Sequence, residues 1–295
     1  MTEQPGKPTI TQAMIKAYDD YTHLTLDRRG FMERLTKLAG SGAAAAAIAP
    51  LLAANSARAA IVPADDARIT ASDISFPGAS GELTGYLVMP ADASGALPAV
   101  VVIHENRGLN EHTRDVARRL ALDGFVALAV DFLSPLGGTP GNEDTAREMI
   151  GQLDPTETTS NAIIARTYLA SHEKTNGNVG AVGFCWGGGL VNQMAVKDAA
   201  LGAGVAYYGR QAAAEDVPMI EAPLMLHYAG LDERINAGIE AYRTALEAAG
   251  KDFEIHIYDG VNHAFNNDTS EARYDKAAAD LAWSRTVAFF REHLA

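Results

Sequence analysis

Three side chains that could perform nucleophilic catalysis follow one another along the sequence, in the order Cys185, Asp232 and His263. Cys185 is the only cysteine of the 295-residue chain. A thiol becomes an effective nucleophile when a histidine accepts its proton, and a carboxylate can fix the tautomer of that histidine and stabilise its imidazolium form. The set therefore predicts acyl transfer through a thioester, with Cys185 as nucleophile, His263 as base and Asp232 as the orienting acid.

The residues around Cys185 predict that it lies on a sharp turn. In "GFCWG", Gly183 and Gly187 stand two places before and after the cysteine, between the apolar run "NVGAVGF" and the helical pattern "WGGGLVNQMAV". In a strand-to-helix elbow the nucleophile has a strained backbone, so both of these neighbours must be small. A buried structural cysteine is the alternative, but it would not need the flanking glycines. A single cysteine also excludes an intramolecular disulfide and any site with several cysteine ligands.

The predicted acid and base each follow a strand-like run. "PLMLHYAG" comes before Asp232, and "FEIHIYDG" comes before the loop that carries His263. The carboxyl ends of parallel strands meet at one edge of a sheet, where such folds build their sites. Glu233 is the alternative acid. The sequence has no H-E-x-x-H pattern, so we expect neither metal nor cofactor, and four other histidines are expected to be structural: His172, His227, His256 and His293.

From about residue 68 the sequence alternates between strand and helix patterns. "DISFPG" and "LTGYLVMP" resemble an antiparallel pair, and six short apolar runs from "PAVVVIHE" to "FEIHIYDG" suit buried parallel strands. Helical patterns lie between them, at about 111–123, 156–172, 186–197, 235–249 and 271–293. This alternation predicts an α/β-hydrolase fold, with a mostly parallel sheet of about eight strands, helices on both faces and no large cap domain.

The first sixty residues have the features of an export signal. Arg28 and Arg29 precede an uncharged, alanine-rich stretch at about 38–54, and "ARA" at 57–59 is typical of a cleavage site. We interpret residues 1–59 as a disordered leader, up to about residue 25, followed by a twin-arginine signal peptide, and residues 60–295 as one domain exported to the periplasm or beyond. The export machinery would then be a partner of the precursor. The alternative is an amphipathic helix with a chance arginine pair, and the apolar stretch is too short and weakly apolar for a stable membrane span.

The composition of the chain makes some classes of binding partner unfavourable. The chain is 47% hydrophobic and 21% charged, with a formal net charge of −13. Nucleic acids and anionic lipid surfaces attract basic proteins, so this acidity disfavours both of them as partners. A small-molecule substrate is the expected ligand.

Over about residues 68–295 the sequence resembles the dienelactone hydrolase (carboxymethylenebutenolidase) family. The resemblance is carried by "GFCWGG", by "YYG" after the next strand, by "GLD", "NHAF" and "VVIHENRGLN". It implies that Glu105 contacts the thiol, holds it protonated in the resting enzyme and helps to take its proton once substrate binds. It also implies an oxyanion hole formed by the backbone N–H groups of Asn106 and Trp186.

Further positions are candidates for the substrate pocket: His104, Arg107, Tyr207, Tyr208 and Arg210. For His104 a pocket role and a core role stay open. The family uses an arginine shortly after the histidine to hold a substrate carboxylate, whereas this loop reads "NHAFNND", with Asn266 and Asn267. We expect an exported hydrolase of activated esters or lactones. A general carboxylesterase or thioesterase, and a non-catalytic binding or redox protein on the same fold, are the alternatives.

Overall fold

One eight-stranded sheet organises the chain. The computed structural model describes residues 8–23, 25–53 and 60–295. In chain order the strands are β1 (Ile69–Pro77), β2 (Glu82–Pro90), β3 (Leu97–Ile103), β4 (Val126–Asp131), β5 (Thr175–Phe184), β6 (Ala203–Tyr207), β7 (Leu224–Ala229) and β8 (Phe253–Tyr258). Their order across the sheet is β1-β2-β4-β3-β5-β6-β7-β8. Only β2 runs antiparallel to its neighbours, β1 and β4, and the other pairings are parallel.

Helices cover both faces of the sheet. In the described part of the chain they are α1 (Gln12–Thr22), α2 (Arg28–Ala39), α3 (Gly42–Leu52), α4 (Glu111–Leu122), α5 (Glu143–Ile150), α6 (Pro155–Ala170), α7 (Trp186–Lys197), α8 (Glu233–Asn236), α9 (Ile239–Ala248) and α10 (Lys276–Leu294). The predicted α/β-hydrolase fold is confirmed: the sheet is mostly parallel, has eight strands and carries helices on each side.

The central strands are apolar along their whole length because both of their faces are buried. In β3, Val100 and Val102 pack into a core cluster that includes residues of α4 and α10. Their neighbours Val101 and Ile103 pack on the opposite face, with residues of α6, α7 and α9. A strand buried on both faces has no polar alternation, which explains why these segments appear in the sequence as continuous runs.

The β5–α7 connection is the sharp turn expected around the cysteine. Cys185 has φ 55° and ψ −113°, in a left-handed region that side-chain-bearing residues rarely adopt. A Cβ on Gly183 would lie 2.1 Å from the carbonyl oxygen of Gly187, and a Cβ on Gly187 would lie 2.5 Å from that of His104. Backbone atoms thus occupy the space that any larger residue would need at these two positions.

The N-terminal region differs from the expected disordered leader. Residues 12–22 form the helix α1, and Tyr18 and Tyr21 are buried in a cluster with Phe31 of α2. The apolar positions of α1 recur at helical spacing, so the segment has a face to bury although its overall composition is polar. We refer to residues 8–23 as the N-terminal segment.

The alanine-rich stretch forms most of α3, which is capped by Ser41 and contains Pro50. Among the described residues, no single helix has the length and apolar character to cross a membrane. The pair α2 and α3 reaches that length and composition together, but it bends by 113° between the two helices. The expected cleavage motif at 57–59 lies outside the described residues.

The turn supplies a stability prediction. We expect Gly183→Ala to destabilise the protein by about 3 kcal/mol or more, because the added Cβ meets backbone that cannot move away as a side chain could. Gly141→Ala is the matched control, because a Cβ there has no atom within 4 Å and should change stability by less than about 0.5 kcal/mol. Urea unfolding of both variants measures the difference. Equal midpoints would show that the turn tolerates a larger residue.

Candidate active site

A buried carboxylate orients the histidine of the predicted triad. Asp232 follows β7 and caps α8, where its Oδ1 accepts a hydrogen bond from the Ile235 N–H at 3.2 Å. Its other oxygen, Oδ2, lies 2.5 Å from Nδ1 of His263. With Nδ1 bound to the carboxylate, Nε2 of His263 is the ring atom left for chemistry, and it has no hydrogen-bond partner in the described structure. Glu233, the alternative acid, is exposed.

Two histidines, and not one, lie beside the thiol. A ring nitrogen of His263, a ring nitrogen of His23 and Sγ of Cys185 all lie within 4.8 Å of one another. The hydrogen bond at the sulfur is made with His23, whose Nε2 lies 3.3 Å from Sγ. The rings of His23 and His263 meet edge to face, with their centroids 4.7 Å apart.

His23 was not predicted from the sequence. It follows α1, and its Nδ1 lies 2.8 Å from the carbonyl oxygen of Asp19 and 3.3 Å from the Asp19 carboxylate. An Asp and a His four residues apart suit an interaction along a helix, so the pair itself was visible in the sequence. Its position against Cys185, across 162 residues, had no local signal.

The charges around Cys185 favour its thiolate form. Burial raises the pKa of the thiol, but the positive charges of His263 and His23, together with the hydrogen bond between His23 and the sulfur, outweigh that penalty and lower the pKa to about 6. Burial likewise lowers the pKa of His263, yet Asp232, Cys185 and Asp19 raise it well above its usual value. This direction of the pKa opposes the expectation of a resting, protonated thiol.

Glu105 borders the same site but is held by other partners. It accepts a hydrogen bond from Nδ2 of Asn267 at 3.0 Å and one from the Tyr208 hydroxyl at 3.4 Å. Burial raises its pKa, and nearby positive charges, that of Arg273 first, lower it below its usual value. With Cys185 and His263, Glu105 lines a small recess next to the nucleophile. It is therefore a fixed negative charge at the edge of the site.

The two predicted oxyanion donors lie at the wall of one cavity. Trp186 is the first residue of α7, so its N–H has no acceptor within the helix. Asn106 and Trp186 both line a cavity of about 720 Å³ that also reaches Cys185. The side chain of Asn106 donates a hydrogen bond to the carbonyl oxygen of Thr22 at 2.6 Å. This bond holds the N-terminal segment against the proposed oxyanion hole.

The predicted pocket residues divide into two groups. Tyr208 and Arg210 line the 720 Å³ cavity. His104 and Tyr207 do not line it. Tyr207 is a correction, because its hydroxyl bonds Thr286 at 2.7 Å inside the core. His104, for which both roles were open, accepts a hydrogen bond from the Phe132 N–H at 3.2 Å, which favours the core role.

Arg107 lies near the site, but the N-terminal segment and α5 occupy its guanidinium. It donates a hydrogen bond to the Tyr18 hydroxyl at 2.6 Å and pairs with Glu143. Arg273, which the sequence analysis missed, is also buried and stands over the Tyr18 ring at 5.1 Å. The arginines around the site are thus engaged by residues of the N-terminal segment.

Most of the chain is similar to one known protein family. The model of the dienelactone hydrolase family matches residues 83–294, most of the chain. The chain belongs to the dienelactone hydrolase family. It is 32% identical over 248 residues to a carboxymethylenebutenolidase-named protein of Escherichia coli O157:H7, covering 79% of this chain and 91% of that one. These likenesses support a hydrolase with activity of the carboxylic ester class.

Solved structures agree with the family assignment. A dienelactone-hydrolase-named structure from Klebsiella pneumoniae subsp. pneumoniae MGH 78578 matches with a TM-score of 0.69 and 28% identity, over 76% of this chain and 98% of that one. Brefeldin A esterase, described as a bacterial homologue of human hormone-sensitive lipase, is only 16% identical but covers 97% of this chain with a TM-score of 0.66. The second likeness shows the fold alone.

In this dienelactone hydrolase family member, the two histidines and the thiol are also the described group that could hold a metal ion. Imidazole nitrogen and thiolate sulfur are ligands that Zn²⁺ accepts. The expectation that the enzyme needs no metal rests on the sequence and stays a prediction.

The charges around Cys185 predict that two substitutions shift the pH midpoint of its alkylation in opposite directions. In the unmodified protein, iodoacetamide alkylation should rise with pH around a midpoint near 6, because only the thiolate reacts. His263→Gln should move the midpoint up, since it removes the largest charge that favours the thiolate. Glu105→Gln should move it down, since it removes a nearby negative charge.

Alkylation rate against pH, followed by intact mass, measures all three midpoints. The exposed Glu215→Gln is the control and should leave the midpoint unchanged. A midpoint near that of a free thiol, about 8.5, in the unmodified protein would contradict the electrostatic account of the site.

Proposed function

We propose that this protein hydrolyses activated esters or lactones through a Cys185–His263–Asp232 triad and a thioester intermediate. The observation that carries the proposal is the buried Asp232–His263 pair beside a cysteine held at a strained strand-to-helix turn. A cysteine that only fills the core would need neither the turn nor the oriented imidazole. A binding or redox protein on the same fold has no use for that arrangement either.

The reaction follows from these positions. With the thiol proton held on a histidine, Sγ attacks the carbonyl carbon as a thiolate, and the N–H groups of Asn106 and Trp186 bind the developing oxyanion. The C–O bond to the leaving group breaks, and the leaving oxygen takes up the proton. Water, deprotonated by Nε2 of His263, then attacks the thioester carbonyl, the C–S bond breaks and the acid departs. Asp232 keeps His263 in the tautomer that both steps need.

The walls of the cavity favour a substrate with an anionic group. Its charged lining side chains include Arg147, Arg210 and Arg234 against one carboxylate, Asp216. A volume of about 720 Å³ accommodates an acyl group well beyond acetyl. Thiol chemistry favours good leaving groups, so enol lactones and aryl esters that carry a carboxylate are the substrate class we infer.

The triad is tested by two alanine variants. Cys185→Ala and His263→Ala should each lower kcat by about 10⁴-fold or more, because each removes a group that the others cannot replace over the whole cycle. Hydrolysis of an aryl ester, with thermal melting to verify folding, is the measurement. His172→Ala, just after the C-terminal end of α6 and not among the residues that line the cavity, should keep full activity. An active Cys185→Ala protein would remove the thiol from the mechanism.

We also propose that the chain is exported by the twin-arginine route and cleaved after about residue 59. Arg28 and Arg29 stand in the first turn of α2, with 77% and 87% of their side chains exposed to solvent. An exposed adjacent pair suits a receptor that reads guanidinium groups.

Lysine substitution tests this export proposal. Arg28→Lys with Arg29→Lys should leave the precursor in the cytoplasm, since lysine keeps the charge but lacks the planar guanidinium fork. Cell fractionation with intact mass follows both location and cleavage. Arg34→Lys, in the same helix, is the control and should be exported. Unchanged export of the double variant would show that the pair is not the signal.

A further inference from the structure

The N-terminal segment is docked on the catalytic domain by specific polar contacts. Arg147 donates to the carbonyl oxygen of Tyr21 at 3.1 Å and stands over the Tyr21 ring at 4.0 Å. The Tyr21 hydroxyl donates to Asp144 at 2.6 Å, and the Asn106 side chain holds the carbonyl oxygen of Thr22. Contacts from α5 and from the loop after β3 therefore fix the residues on the N-terminal side of His23.

The docked segment leaves the nucleophile accessible. His23 and Thr22 form part of the wall of the 720 Å³ cavity, which still reaches Cys185 and Trp186. A plug would fill this space, whereas the segment borders it. A substrate can thus approach Sγ while His23 stays in place.

His23 has the hydrogen-bonding pattern of a catalytic base. Its Nδ1 faces the Asp19 carbonyl oxygen at 2.8 Å, which requires a proton on Nδ1, and its Nε2 lies 3.3 Å from Sγ, where it can hold the proton that the thiol gives up. The Asp19 carboxylate, 3.3 Å from the same Nδ1, stabilises the imidazolium that forms. This repeats the relation of Asp232 to His263 on the other side of the thiol.

We propose that His23, oriented by Asp19, is a second catalytic histidine that serves the acylation half of the reaction in the uncleaved chain, while His263 serves deacylation. The inference rests on the proposed function, which it refines. With the thiol proton already held on Nε2 of His23, the Sγ thiolate attacks, the Sγ–C bond forms and the C–O bond of the ester breaks. The leaving oxygen then takes the proton from His23.

Deacylation uses the other imidazole. Nε2 of His263, which has no partner in the described structure, accepts a proton from water as the water oxygen attacks the thioester. The C–S bond breaks and the sulfur leaves as the thiolate, while the proton that His263 took from water passes to His23, whose ring lies edge to face with it. The resting ion pair is restored, and ester plus water has become acid plus alcohol. Cleavage after residue 59 would remove His23 from the chain and leave the site with His263 of this pair.

The experiment separates the two half-reactions in the full-length chain, with p-nitrophenyl acetate as the probe. Stopped-flow release of nitrophenol reports acylation, and intact mass reports acetyl on Cys185. We expect His23→Gln and His23→Ala to slow the burst by about 10²-fold or more, the usual contribution of a general base. His263→Ala should acylate rapidly, then accumulate acetyl-enzyme because deacylation fails.

Two further measurements distinguish a catalytic role of His23 from a purely structural one. Added imidazole should restore the burst of His23→Ala, which a purely packing residue would not allow. Asp19→Asn should slow the burst less than His23→Gln, because it keeps the carbonyl contact and removes only the charge. His172→Gln is the matched control and should leave both phases unchanged.

Each contrary outcome has a definite meaning. If the His23 variants acylate as fast as the unmodified protein or faster, His23 is a wall of the cavity or an obstruction, and the inference is wrong. If His263→Ala fails to acylate while His23→Gln acylates, His263 serves both halves. If the unmodified protein never acquires acetyl on Cys185, the proposed thioester chemistry itself fails, which is a separate result.

Discussion

The strained turn at Cys185 is the constraint on which the rest of the site depends. The residue needs a positive φ so that its side chain points away from the sheet, and the chain must then reverse into α7 with no room for side chains on either side. Gly183 and Gly187 meet that requirement through direct backbone approach. Once the turn is fixed, α7 begins at Trp186, which lines the cavity and whose N–H has no acceptor within the helix. The position of the nucleophile and the polarity around it thus have one origin.

Burial then makes the charges around the thiol interdependent. Cys185, His263 and Asp232 are nearly inaccessible to solvent, and an isolated charge at such a place would be costly. The site compensates with alternating signs: carboxylates behind each histidine, the histidines beside the sulfur, and Arg273 near both Glu105 and Asp19. No single pKa in this group can change without affecting the others. A neutral resting thiol would need the histidines to be neutral as well, which the two carboxylates behind them oppose.

Features that depend on a local sequence pattern could be predicted. Contacts between segments that are distant in the sequence could not. The continuous apolar strands, the elbow glycines and the loop positions of Asp232 and His263 all carry local signals, and the fold and the placement of the pair followed from them. Tyr207 was assigned to the pocket, yet it shares a strand face with Ala203 and Val205 and points into the core beside α10. Strand alternation could have identified this error. His23 could not have been found in this way, because its role depends on how α1 docks against a surface formed more than 80 residues later.

The docking of the N-terminal segment also affects the arginine pair of the proposed export signal. The partners of Tyr18 and Tyr21 come from separate places in the folded domain: Arg107 after β3, Arg147 in α5 and Arg273 beyond β8. These arginines come together only when the sheet has formed. The surface on which α1 and the stacked Phe31 of α2 pack therefore exists only in the folded domain. Arg28 and Arg29 lie in the first turn of α2, three and two residues before Phe31, and face solvent. If the pair is the export signal proposed above, then its presentation on an ordered helix depends on the same contacts that bring His23 to the thiol. The interface between the N-terminal segment and the folded domain thus has two consequences. It exposes the arginine pair on an ordered helix, and it places a second histidine beside the nucleophile.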